Sequence, residues 1–166
     1  MPLYTSVRVR TIMREALENA MEELKRVDHI FYVSLKYTRT AEMMKHMVDR
    51  MINSYFFGIE SMLKFAIEKK MIDKMNNNPT LDAKLLMKLF PDEEIAEYMD
   101  LYLRLRKIAR AEYTKREEFR RHVTMTCTLN NGEIVEVNID ILKENYETTQ
   151  KFINYAGRIV EGKEEE

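Results

Sequence analysis

The chain has 166 residues, 45% of them hydrophobic and 33% charged, with a formal net charge of −1. That is enough material for one well-buried core, and it excludes a global positive field drawing the protein onto nucleic acid or membrane, so any such binding needs a local patch. A single cysteine, Cys127, excludes an internal disulfide framework or a one-chain thiolate zinc site and points to a reducing, cytoplasmic setting.

The segment MPLYTSVRVRTIM lacks the apolar core of a signal peptide, and no apolar run reaches membrane-spanning length. Four glycines and three prolines favour long helices with short connections, and with no Trp the composition suits a heat-tolerant source. Residues 10–27 predict a first amphipathic helix, with Met13, Leu17, Ala20, Leu24 and Val27 on one stripe. HIFYVSLKYT, β-branched and aromatic, predicts an extended connector or short strand. Thr40 is placed to cap a long helix over 41–70, roughly 45 Å in length. Gly58 within it marks either a close neighbouring helix or a bend.

Pro79 ends the loop KMNNNPT, and a short helix is predicted over 81–89. A third long helix, 92–113, has Pro91 and acidic residues at its start, where the helix dipole favours them. Thr114-Lys-Arg-Glu117 matches a capping box and predicts a restart over 115–121. Val123, Met125, Cys127 and Leu129, then Val135, Val137 and Ile139, alternate on either side of Asn131-Gly132, which predicts a β-hairpin over 122–139. Asp140 is placed to cap a final helix over 141–160, with Gly162 ending it and KEEE a solvated tail. The expected fold is mostly α: one domain over residues 1–166, an antiparallel up-and-down bundle of four to five helices with one hairpin in its C-terminal half.

Residues 104–122 hold eight lysines and arginines against three glutamates, a local excess of five positive charges. Planar guanidinium forks suit phosphates, so Arg106, Arg110, Tyr113, Arg116, Arg120 and Arg121 are candidate nucleic-acid contacts. The bland alternative is a solvated helix face tied by ion pairs from Arg116 and Arg120 to Glu112 and Glu117. Arg116 and His122 form a candidate catalytic pair, the imidazole taking a ribose hydroxyl proton while the arginine holds the phosphate. Against this, His122 could equally stand at a helix-to-strand junction where it complements a helix end. Glu42, His46 and Asp49 share a helical face but lack a second ligand-bearing helix, so no metal or other cofactor is expected. The methionines read as adaptable core packing and Cys127 as buried and inert.

SYFFGIESMLKFAIEKKMI set beside LRLRKIARAEY resembles the HEPN superfamily of helical bundles over residues 41–113, with 141–160 as the closing helix. Glu60 to Lys64 match that family's Glu…Leu-Lys segment. Arg106 and Tyr113 match its Arg-x4-His-x-Tyr motif, and Ala111 stands at the histidine position. The resemblance implies a homodimer and, with the histidine missing, an RNA- or nucleotide-binding regulatory module rather than an efficient catalyst. It also implies a possible nucleotidyltransferase partner that would modify Tyr113. Two other readings stay open: a metal-independent endoribonuclease using Arg116 and His122, and a protein-interaction subunit whose hairpin offers an edge to another chain.

Overall fold

The structure is a computed structural model that describes residues 3–162; the acidic tail beyond Gly162 lies outside the described residues. Helix α1 (Leu3–His29) buries Met13, Leu17, Ala20 and Val27, the stripe that its periodicity requires. The following HIFYVS segment is not extended. It continues as a π-helical turn (Ile30–Ser34) and one further α-turn (Leu35–Tyr37). A run of β-branched and aromatic residues carried on from a formed helix needs no new nucleus, so local strand propensity loses.

Helix α2 (Ala41–Glu68) is the spine. Thr40 caps it, its hydroxyl accepting from the Met43 amide at 3.2 Å. Met44, Met47, Met51 and Met62 are fully buried along one side. Buried Ser54 and Ser61 donate to the Ala20 and Met13 carbonyls at 2.9 and 2.8 Å, tying α2 to α1. Gly58 admits the last helix: a Cβ there would lie 2.8 Å from both the Phe152 ring and Ile153 Cδ1. The close-neighbour reading of Gly58 therefore holds.

Helix α3 (Pro79–Leu89) starts at Asn78, whose side chain accepts from the Leu81 amide at 3.0 Å. Helix α4 (Glu93–Arg110) carries Ile95, Met99, Tyr102 and Leu105 inward, and helix α5 (Ile139–Glu161) closes the bundle. Its cap is Asn138, accepting from the Ile141 amide at 2.9 Å, rather than Asp140. Gly162 ends it in the left-handed region, φ 66°. At the centre, Tyr55 stacks between Tyr102 and Phe152, with centroids 5.2 and 5.0 Å apart. Among the described residues no helix is long and apolar enough to cross a membrane.

Two boundaries near the arginines differ from expectation. Helix α4 stops at Arg110, not 113, and residues 115–121 form no helix. Instead Glu112–Arg116 is a strand, β1, paired antiparallel with β2 (Thr124–Thr128), which pairs in turn with β3 (Ile134–Asn138). The sheet has three strands in the order β1-β2-β3. The capping-box match fails because Thr114 lies opposite Thr126 in the ladder, while Glu117 and Phe119 take φ of 55° and 63°, which a right-handed helix excludes. The hairpin holds: the Gly132 amide reaches the Leu129 carbonyl at 2.9 Å, and Gly132 takes φ 86°.

Candidate nucleic-acid interface

The break between α4 and β1 divides the arginine-rich segment. Ala111 joins the two elements with φ −72° and ψ 148°, turning the chain from helix into strand within one residue. Arg106 and Arg110 stay on the last two turns of α4, and Arg116 is carried to the far end of β1. The six candidate binding residues consequently reach different surroundings.

Arg106 and Arg110 line a hollow of about 430 Å³ with Lys84 of α3, Lys107, and Asn130 and Asn131 of the hairpin turn; Leu103 and Leu129 supply an apolar wall. Its lining includes four cations and no carboxylate. Among the described residues, none of the four makes an ion pair. Arg106 lies over the Tyr102 ring, 5.7 Å from its centroid, which holds the guanidinium in place without neutralising it. Burial pushes the Tyr102 hydroxyl up, and the Arg106 charge offsets part of that. The C-terminus of α4 carries about half a negative charge, which helps to hold Lys107 and Arg110 but leaves most of the four positive charges uncompensated.

Arg116, Arg121 and His122 line a second hollow, of about 740 Å³, with Lys36 and Arg39 from the chain that joins α1 to α2. Glu117, Glu136 and Asp140 line it too, so its cations exceed its carboxylates by one. Arg116 is held by Glu136 across the sheet at 3.0 Å, both side chains about half exposed. The pairs that the bland reading expected, to Glu112 and Glu117, are absent because residues 112–116 are extended. Two exposed aromatic rings, Tyr37 and Phe119, stand at the rim.

The loop between β1 and β2 shapes this second hollow. The Phe119 amide donates to the Arg39 carbonyl at 2.7 Å, the Ala41 amide to Glu118 at 3.3 Å, and Lys115 pairs with Glu118 at 2.8 Å. The Lys115 hydrogen bond holds the Glu118 carboxyl below its ordinary value. Two non-glycine residues at positive φ cost about 1–2 kcal/mol each, and these tethers offset that cost.

Arg120 is exposed and lines neither hollow. Tyr113 lies on β1, 37% exposed, with Lys45 5.0 Å from its ring centroid. His122 is exposed, and its carbonyl accepts from the Thr124 hydroxyl at 2.8 Å. Cys127 is buried, and that burial pushes its thiol up, away from the reactive thiolate form. Glu42, His46 and Asp49 form no metal-binding group; among the described residues, no cluster of three His, Cys, Asp or Glu could hold an ion.

Lys36, Arg39, Lys84 and Asn130 were not among the residues singled out by sequence. No local pattern marks them, because only the packing of α3, the hairpin turn and the α1–α2 connection brings them beside the arginines. No family model, curated protein or solved structure matches the chain.

Proposed function

We propose that the protein is a HEPN-like regulatory module that binds single-stranded RNA or a nucleotide through its phosphates, at the hollow beside the end of α4. The observation that carries this reading is the lining of that hollow: Lys84, Arg106, Lys107 and Arg110 with no carboxylate among them. Unpaired guanidinium and ammonium groups on a concave surface attract a polyanion and displace its counterions, and a phosphate can accept a forked pair of bonds from either arginine. The apolar wall of Leu103 and Leu129 and the two asparagine side chains suit the sugar and base that accompany the phosphate.

The test is titration of a labelled oligouridylate, and separately of ATP, at several salt concentrations. Affinity falls with salt, and each of Arg106→Ala and Arg110→Ala lowers the log–log slope for the single strand by about 0.7. Binding that ignores salt, or that both alanine variants leave unchanged, removes the reading.

One observation favours a second reading, metal-independent RNA cleavage: Arg116 and His122 line the same hollow. Here the imidazole would take the 2′-hydroxyl proton, and the freed oxygen would attack the adjacent phosphorus. The P–O5′ bond would break, the 5′-oxygen leaving as a hydroxyl with a proton returned from the imidazolium or taken from water, giving a 2′,3′-cyclic phosphate. Cleavage in EDTA that disappears in His122→Ala and yields cyclic ends supports it; intact RNA after prolonged incubation excludes it.

A further inference from the structure

We propose that the free edge of β1 pairs with β1 of a second copy of this chain, making a two-fold dimer with one continuous six-stranded antiparallel sheet. β1 has β2 on one side and, among the described residues, no strand on the other. All five of its side chains are exposed. Such an edge presents backbone amides and carbonyls that another strand can use.

The sequence of the strand, Glu112-Tyr-Thr-Lys-Arg116, is complementary to itself when run antiparallel about Thr114. That register sets Glu112 opposite Arg116 of the second copy, twice by symmetry. It also sets Tyr113 opposite Lys115, twice, and Thr114 opposite Thr114. Opposite charges and cation–aromatic pairs directly across a ladder are favourable, as are facing threonines. Tyr113 already accepts such a contact from Lys45 within its own chain. Arg116 has five N–H donors, so it can keep Glu136 and bind Glu112 of the second copy together.

Backbone geometry narrows the alternatives. In an antiparallel ladder, directly opposed residues must both point their backbone groups toward the partner or both away, so a slip of the pairing sum by one residue is forbidden. A slip of two centres the pairing on Tyr113 or on Lys115. The first leaves Lys115 and Arg116 unpaired, and the second opposes Lys115 to itself. Only the register about Thr114 satisfies every residue. The other sheet edge behaves differently: β3 centred on itself opposes Glu136 to Glu136, a like-charge contact. A two-fold at β1 also closes on itself, whereas β1 against β3 of the next copy would propagate into an open assembly. This inference stands independently of the phosphate-binding reading.

The experiment is sedimentation equilibrium of the full chain, with circular dichroism confirming that each variant is folded. Five residues a side make a small interface, so the expected behaviour is a reversible dimer with a Kd on the order of 10–100 µM. Glu112→Arg and Arg116→Glu each oppose like charges twice and weaken the dimer by roughly tenfold or more. Mixing these two variants restores both ion pairs, giving a one-to-one heterodimer at wild-type affinity, and the double variant carrying both changes self-associates again. A chain monomeric to about 1 mM, a dimer indifferent to either single variant, a mixture that does not associate, or growth beyond a dimer each overturns the proposal.

Discussion

The two hollows differ in size and in charge, and the differences run in opposite directions. The one near β1 is the larger, about 740 Å³, and its cations are nearly matched by Glu117, Glu136 and Asp140. The one at the end of α4 is smaller, about 430 Å³, with four cations and no acid. A guanidinium paired with a carboxylate has its charge largely offset before a phosphate arrives; one facing only solvent attracts the phosphate with its full charge. For an anionic ligand, the balance of charge decides between concave surfaces before volume does.

The largest expected effect follows directly. Arg106→Ala combined with Arg110→Ala removes two charge-assisted contacts and weakens oligouridylate binding roughly a hundredfold at low salt, whereas Arg116→Ala with Arg121→Ala changes it less than about threefold. Fluorescence anisotropy measures both. Equal losses would erase the distinction between the hollows.

A smaller effect is expected from making the two alike. Asn130→Asp places a carboxylate among Lys84, Arg106 and Arg110 and lowers affinity about five- to tenfold, an effect that shrinks as salt rises. In the opposite sense, Glu136→Gln releases Arg116 from its 3.0 Å pair and raises anion binding at the larger hollow about threefold, so that Arg116→Ala then becomes costly in that background. The smallest effect on binding, within about twofold, is expected from Gly58→Ala, though it changes the scaffold. Its Cβ would meet the rigid Phe152 ring at 2.8 Å, and the crowding outweighs the helix propensity gained, for a net loss of about 1–2 kcal/mol in urea unfolding.

The helices could be read from sequence because each buries a stripe, and burial leaves a period. Met13 to Val27, Met44 to Met62 and Ile95 to Leu105 announce their elements this way. The hairpin was legible through Asn131-Gly132 and the alternation of Met125 and Cys127 with threonines. β1 was not. A strand exposed along its whole length alternates nothing, and Thr114 to Glu117 imitates a helix start. The π-helical turn was missed for a different reason: Ile30 to Val33 favour strand in isolation, but they extend a helix already formed. The candidate residues on the arginine segment were visible by composition. Their division between two surroundings was not, because it depends on the unseen strand and on partners brought from Lys36, Arg39, Lys84 and Asn130.

Ala111 is the only residue between Arg110, on the last turn of α4, and Glu112, the first residue of β1. Consecutive Cα atoms lie 3.8 Å apart across a trans peptide, so this joint contains no slack. A shift of the final helical turn toward a ligand must drag the strand end with it, and a strand clamped in register restrains that turn in return. This one-residue connection thus acts as a rigid coupling between the four-cation hollow and the unpaired strand edge.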